Sequence, residues 1–295
     1  MEIQIKNLTK RYGKHEVLKN ISLNIPIGMY GLLGKNGAGK TTLMRILSTL
    51  SQKTSGEILV NGISIEKEKS IKQITGYLPQ DFSVYPTMSL YGALDYLGIL
   101  AEIPKSERKQ RIDTLLKQVN LEQEKHKKFK NLSGGMKRRF GIAQALLNDP
   151  KILIVDEPTA GLDPEERIRF HNLLSELAEE RIVLLSTHIV ADVEAICTNV
   201  AVLNNGNLIF HGTIDTLQKL AEYKVYLVEA DKKELENLKK KYRLINIQSD
   251  GATVICRLIS DVELLEPFQL CSPTVEDSYM YLLDKYEGGT TNAAI

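Results

Sequence analysis

The most constraining stretch of the chain is the apolar run Met29 to Leu33, which leads straight into Gly34-Lys35-Asn36-Gly37-Ala38-Gly39-Lys40-Thr41. It fits G-x-x-x-x-G-K-[ST], and the helical spacing of Leu43, Ile46 and Leu47 follows at once. Strand, glycine-rich loop and helix in that order form a phosphate cradle. The glycines let backbone N–H groups curl around phosphate oxygens, and the helix offers its positive N-terminus to the same anion. Lys40 is expected to reach the β- and γ-phosphates and the Thr41 hydroxyl to ligate Mg²⁺. This loop alone does not separate a kinase, a GTPase and a transport ATPase.

A second apolar run, Ile152-Leu153-Ile154-Val155, ends in Asp156-Glu157. A continuous apolar strand is expected to be parallel and buried on both faces, and ligands of open α/β sheets bind at the carboxyl ends of such strands. Asp156 is therefore placed to hold the metal through water, and Glu157 to polarise a water attacking the γ-phosphate. Taken alone, the pair reads equally as a solvated strand end; the phosphate loop favours the site. Pro158 and Ala160-Gly161-Leu162-Asp163-Pro164 read as a turn with a proline helix start. Ser186-Thr187-His188 ends the next apolar strand, where a histidine is either structural or within reach of the γ-phosphate.

The remaining pattern alternates strand and helix up to about Leu220, which indicates an α/β sheet. Glu2 to Asn7 and Val17 to Ile25 alternate as strands, with Arg11-Tyr12-Gly13-Lys14 as the turn between them. Ser89 to about Leu147 is mostly helical and forms an insertion. Beyond Leu220 come a strand (Lys224 to Glu229), a charged helix (Lys232 to Lys241), strands at Leu244 to Gln248 and Thr253 to Leu258, and a helix from Glu276 to Lys285. These are expected to make a small α+β domain over 221–287, with 288–295 as a frayed tail.

Bulk properties exclude several classes. The net charge of +1, from 38 basic and 37 acidic residues, gives no basic excess for nucleic acid. The three cysteines, Cys197, Cys256 and Cys271, lack zinc spacing and are expected to be reduced thiols of a cytosolic protein. No apolar leader precedes the first strand, and no run reaches the roughly 20 apolar residues of a membrane span.

Leu132-Ser133-Gly134-Gly135-Met136 precedes the helical pattern of Phe140, Ile142, Ala143, Ala145 and Leu146. Physically it is a polar cap with bare amides at a helix N-terminus, either a simple cap or an anion site. Taken with the other motifs, it resembles the nucleotide-binding subunit of ATP-binding-cassette (ABC) transporters over Met1 to about Leu220. Tyr12 is similar to the aromatic that stacks on adenine, and Gly34 to Thr42 to the Walker A loop. Gln80 is similar to the glutamine that senses Mg²⁺ and touches the membrane partner, and Leu132 to Met136 to the signature motif. Asp156 and Glu157 resemble the Walker B carboxylate and catalytic base, Asp163 the D-loop aspartate and His188 the switch histidine. Met136 departs from the family's commonest residue, glutamine, while Ser133, Gly134 and Gly135 are intact.

The resemblance implies a P-loop NTPase fold of the ABC-ATPase type, with an antiparallel β subdomain and a helical subdomain at about 85–147. It implies a cytoplasmic ATPase dependent on ATP and Mg²⁺, docked on the inner face of the membrane through a separate integral subunit. Two such domains meet head to tail, each ATP lying between one chain's P-loop and the other's signature motif. That is a ligand-driven switch, in a homodimer or a heterodimer. Phe82, Val84 and Tyr85 resemble the surface that receives the membrane subunit, and a packed interior role is the alternative. Thr274 to Tyr279 resembles the final helix of drug, antibiotic and peptide exporters. A non-transport ABC ATPase is the rival. The spacing from Thr42 to Leu132 leaves no room for the long coiled coil of DNA-repair members, and one cassette is too few for ribosome-acting ones. A small-molecule kinase would leave Leu132 to Met136 and His188 unexplained.

Overall fold

The computed structural model describes residues 1–287; the tail expected at 288–295 lies outside the described residues. The chain opens with β1 (Glu2–Tyr12), β2 (His15–Pro26) and β3 (Gly28–Leu33), then α1 (Lys40–Leu47), β4 (Ser55–Val60) and β5 (Ile63–Ser64). There follow α2 (Glu68–Ile74), β6 (Thr75–Leu78), α3 (Leu90–Leu100), α4 (Lys105–Gln118), α5 (Gly134–Ala145) and β7 (Ile152–Asp156). Next are α6 (Pro164–Ala178), β8 (Ile182–Thr187), α7 (Val190–Ile196), β9 (Asn199–Asn204) and β10 (Asn207–Thr213). The last elements are α8 (Ile214–Gln218), β11 (Val225–Asp231), α9 (Leu235–Lys241), β12 (Arg243–Asp250), β13 (Thr253–Ile259), β14 (Gln269–Cys271) and α10 (Val275–Tyr286).

Two sheets build the first unit, which ends at His211. One has the order β2-β1-β4-β5, with antiparallel pairing throughout. The other runs β10-β9-β3-β8-β7-β6. In it β3 pairs in parallel with both β8 and β9, and β7 with both β8 and β6. Every residue of β7 and β8 is buried, as expected of central parallel strands. A shared core joins the two sheets: Ile3, Leu18 and Ile25 from the antiparallel sheet pack with Leu32, Ile154 and Leu184, and with Leu43 and Met44 of α1. This core fixes where the parallel strands end, and so where the site forms.

Some boundaries differ from the sequence expectation. β1 runs on through Tyr12, which pairs with His15, so only Gly13 and Lys14 turn. The periodicity also missed α2, β14 and the β9–β10 pair, whose Asn205-Gly206 turn has both φ angles positive, as a tight hairpin requires. The second unit starts at Gly212, upstream of the expected Leu220. The physical reason is α8: Ser278 Oγ donates to Gln218 O at 2.6 Å, and Gln218 Nε2 donates to Pro273 O at 2.8 Å, tying α8 to later chain.

The second unit is a four-stranded antiparallel sheet, β12-β13-β11-β14. Tyr226, Val228, Val254, Cys256 and Leu258 pack with Leu235 and Leu238 of α9. Val225 and Ile259 pack with Tyr281 of α10. Thr274 and Asp277 form a capping box at the start of α10, and Arg257 clamps Asp277 through contacts of 2.6–3.0 Å.

Within the helical insertion, Phe140 of α5 is fully buried, and its ring meets Phe129 edge-on at 5.6 Å. Phe140→Ala is expected to cost about 3–5 kcal/mol by truncating a closely packed side chain. A urea titration of the full chain measures it; a loss below about 1 kcal/mol would mean that the insertion repacks freely.

Candidate functional site

Because β3, β7 and β8 are parallel, their carboxyl ends open on one side of the sheet. The loop after β3 carries Gly34 to Gly39, and Lys40 begins α1. Gly39 has φ 107°, and a side chain there would meet Leu18 Cδ2 at 2.8 Å, so the turn into α1 needs glycine. Asn36, Gly37, Gly39, Lys40, Thr41 and Thr42 line an open cleft of about 340 Å³ together with Val17, Gln80 and Glu157.

Lys40 is the buried centre of this cleft. Its Nζ donates to Gly34 O at 2.6 Å and to Lys35 O at 3.3 Å, and lies 3.1 Å from Glu157 Oε1. Glu157 is itself only 5% exposed. His188 Nδ1 sits 2.6 Å from its other oxygen, Oε2. Lysine from the start of α1, glutamate from the end of β7 and histidine from the end of β8 thus form one linked row. Glu157 has φ 47°, a left-handed conformation that a non-glycine residue holds only under restraint. The restraint is Ser186, whose carbonyl and hydroxyl accept from Glu157 N at 3.1 and 3.2 Å.

Asp156 is fully buried. The Ser186 hydroxyl donates to its Oδ1, whereas among the described residues Oδ2 meets only the long 3.5 Å contact from Tyr77 OH. The Tyr77 hydroxyl is pushed up to about 12, first by burial and then by the Asp156 charge. Among the described residues no group of three or more His, Cys, Asp or Glu is arranged to hold a metal. A buried carboxylate with an under-used oxygen, the Thr41 hydroxyl and the Gln80 amide are hard oxygen donors. They suit Mg²⁺, which takes few protein ligands and fills its shell with water and phosphate.

Other residues stand apart from this cleft. Ser133 caps α5 by accepting from Met136 N at 3.2 Å, and both Ser133 and Gly134 are exposed. Asp163 caps α6 by accepting from Glu166 N at 2.9 Å. Neither Ser133, Gly134, Gly135 nor Asp163 lines the cleft. Tyr12 is outside its lining as well; its ring is 51% exposed, with Lys10 Nζ 4.6 Å from the centroid. Gln80 is bound from the signature helix, since Arg138 Nη1 donates to its carbonyl. Phe82 and Tyr85 part ways: Phe82 packs edge-on to Phe129, whereas Tyr85 is 63% exposed. Tyr85 lines an apolar groove of about 300 Å³ with Val84, Pro86, Met88, Tyr96 and Leu97.

Sequence reasoning missed Asp192, a fully buried carboxylate in the first turn of α7. Thr159 Oγ1 and Thr187 Oγ1 donate to Oδ2 at 2.6 and 3.1 Å. Arg167 Nε at 2.5 Å and His171 Nε2 at 3.0 Å meet Oδ1. Asp192 therefore holds the segment after Glu157 and the residue before His188 in place. A lone acid in a short helix gives no sequence signal for this role.

Burial pushes the Asp192 carboxyl up, but hydrogen bonds from His171, Thr159 and Arg167 outweigh it and hold the pKa at about 2. The native state thus binds this proton more weakly than the unfolded chain, whose value is about 3.9. Its stabilisation is complete above about pH 4 and is lost as pH falls through about 2. Asp192→Asn is expected to flatten that acid limb and to cost about 2–3 kcal/mol at neutral pH. Urea titrations at several pH values measure both effects.

Comparison with known proteins agrees with this geometry. The ABC transporter family profile matches residues 18–160. The uncharacterised ABC transporter ATP-binding protein YxlF of Bacillus subtilis is 36% identical over 232 residues, covering 78% of this chain and 77% of that one. The linearmycin resistance ATP-binding protein LnrL of Bacillus subtilis is 37% identical over 214 residues, covering 72% and 69%. Among solved structures, cbiO1 of Clostridium perfringens, part of the cbiONQ transporter complex, superposes with TM-score 0.67 at 32% identity, covering 72% and 88%. The cassette MJ0796, solved as a dimer in a post-hydrolysis state bound to ADP and Pi, gives 0.64 at 27% identity, covering 72% and 98%. With the P-loop cleft, the buried acidic pair and the capped signature helix in place, the chain belongs to the ABC transporter family as an ATP-binding subunit with ATPase activity.

Proposed function

We propose that this chain hydrolyses ATP across a dimer and drives export of a drug, antibiotic or peptide through a separate membrane subunit. One observation carries the dimer: Ser133 and Gly134 are exposed and have no part in the chain's own cleft. An anion site built away from the P-loop serves a nucleotide held by another chain. The cassette MJ0796, solved as a dimer, supports dimerisation.

In this reading each nucleotide lies in one chain's cleft and against the partner's signature helix, with Tyr12 stacking on adenine and Asp163 facing the partner. An incoming γ-phosphate draws Lys40 from Gly34 O and from Glu157 Oε1. The freed Glu157 oxygen accepts a proton from water as the water oxygen bonds to the γ-phosphorus. The bond from that phosphorus to the β,γ-bridging oxygen breaks, giving ADP and phosphate. His188 holds the second Glu157 oxygen and keeps the carboxylate aimed. Thr41, Gln80 and, through water, Asp156 would hold Mg²⁺. When bound, the ion neutralises charge developing on the β- and γ-oxygens.

Docking on the membrane subunit is assigned to the groove around Val84, Tyr85 and Tyr96. Among the described residues no helix is long and apolar enough to cross a membrane. Export is supported by the likeness to a protein named for linearmycin resistance and by the α+β unit ending in α10. ATP-dependent uptake of labelled drug into inside-out vesicles holding both subunits measures the direction. Glu157→Gln is expected to keep ATP binding, to form dimers with ATP on gel filtration and to lose about 10²-fold or more in turnover. Unchanged turnover refutes the assigned base. Lys40→Ala is expected to lose nucleotide affinity in a direct titration.

A further inference from the structure

Gly135 lies at the start of α5, and a side chain there would run into the Glu166 carboxylate, with Glu166 Cδ only 2.6 Å from the added carbon. Glu166 belongs to α6, in the first turn after Asp163. Its own N–H is the one that caps onto Asp163 Oδ1 at 2.9 Å. The same residue therefore touches the signature helix with its side chain and the Asp163 cap with its backbone.

The carboxylate is held from two sides. Arg169 Nη1 donates to Oε1 at 3.1 Å, and Arg139 Nε of α5 lies 3.6 Å from Oε2. Arg139 is nine-tenths buried, and among the described residues neither its Nε nor Glu166 Oε2 has a hydrogen-bond partner, which leaves the 3.6 Å ion pair between them. A negative charge against the N-terminal turn of α5 also favours that helix end electrostatically. The pair spans two helices that share no loop, so it exists only in the folded unit.

We propose that Glu166 is a positioning residue that locks the signature helix to the Asp163 segment. The two surfaces offered to a partner's ATP then move as one piece. This rests on the dimer reading given under Proposed function. Glu166 does not line the chain's own cleft, so its loss acts on what the chain presents to its partner and leaves intact what its P-loop binds.

The test uses the full chain carrying Glu157→Gln, with ATP-driven dimerisation followed by gel filtration and affinity for ADP followed by calorimetry. Adding Glu166→Ala is expected to raise the ATP concentration for half-dimerisation roughly tenfold or more, with ADP affinity unchanged. Adding Glu166→Gln, which keeps the contact with Gly135 and one acceptor towards Arg139, is expected to restore part of the loss. Dimerisation at the parent's ATP concentration in Glu166→Ala overturns the proposal, as does an equal loss of ADP affinity, which marks general damage to the fold. A Glu157→Gln parent that stays monomeric with ATP overturns the dimer reading itself, and this inference with it.

Discussion

The buried contact of Lys40 with Glu157 is the interaction on which the rest of the site depends. The two charges sit 3.1 Å apart with almost no solvent. At an effective dielectric of about 20 their gross attraction is about 5 kcal/mol, and removing both from water costs several kcal/mol each. The pair therefore adds little net stability. What it does is hold the lysine and the glutamate together; in the proposed mechanism an anion competes for the lysine. A site whose internal bonds nearly cancel is one that a nucleotide can reorganise.

That balance requires the three strand ends to meet within a few ångströms, and much of the fold serves this requirement. The core shared by the two sheets fixes β3 against β8, and β8 against β7. Ser186, between Asp156 and Glu157, orients one by donating and the other by accepting. Asp192 then ties down the chain on both sides through Thr159 and Thr187. Around Asp192 both carboxylate oxygens are satisfied by these partners, which is the condition for a polar network to rigidify a site rather than weaken it.

The signature helix belongs to a different part of the same design. Its N-terminus is capped by Ser133 and touched by Glu166, and its residues do not line the chain's own cleft. Arg138 links this helix to Gln80, which does line the cleft. A short physical route thus joins the cleft to this helix. The groove at Tyr85 lies on the segment that follows Gln80.

The sequence alone determined the phosphate loop, the acidic pair, the signature cap and the α/β class, because each depends on residues close together in the chain. Glycine spacing, an apolar run ending in two acids, and a serine before two glycines are local statements. Local backbone and burial rules suffice to read them. Tertiary structure decided which strand lies beside which, and so brought Lys40, Glu157 and His188 into one row. It also placed Asp192 at the hub of Thr159, Arg167, His171 and Thr187, and set Glu166 against Gly135. It drew α8 into the second unit, earlier than the change in sequence pattern suggested. The reason is the same in each case: these contacts join residues far apart in sequence, and only the packing of the core sets which distant groups meet.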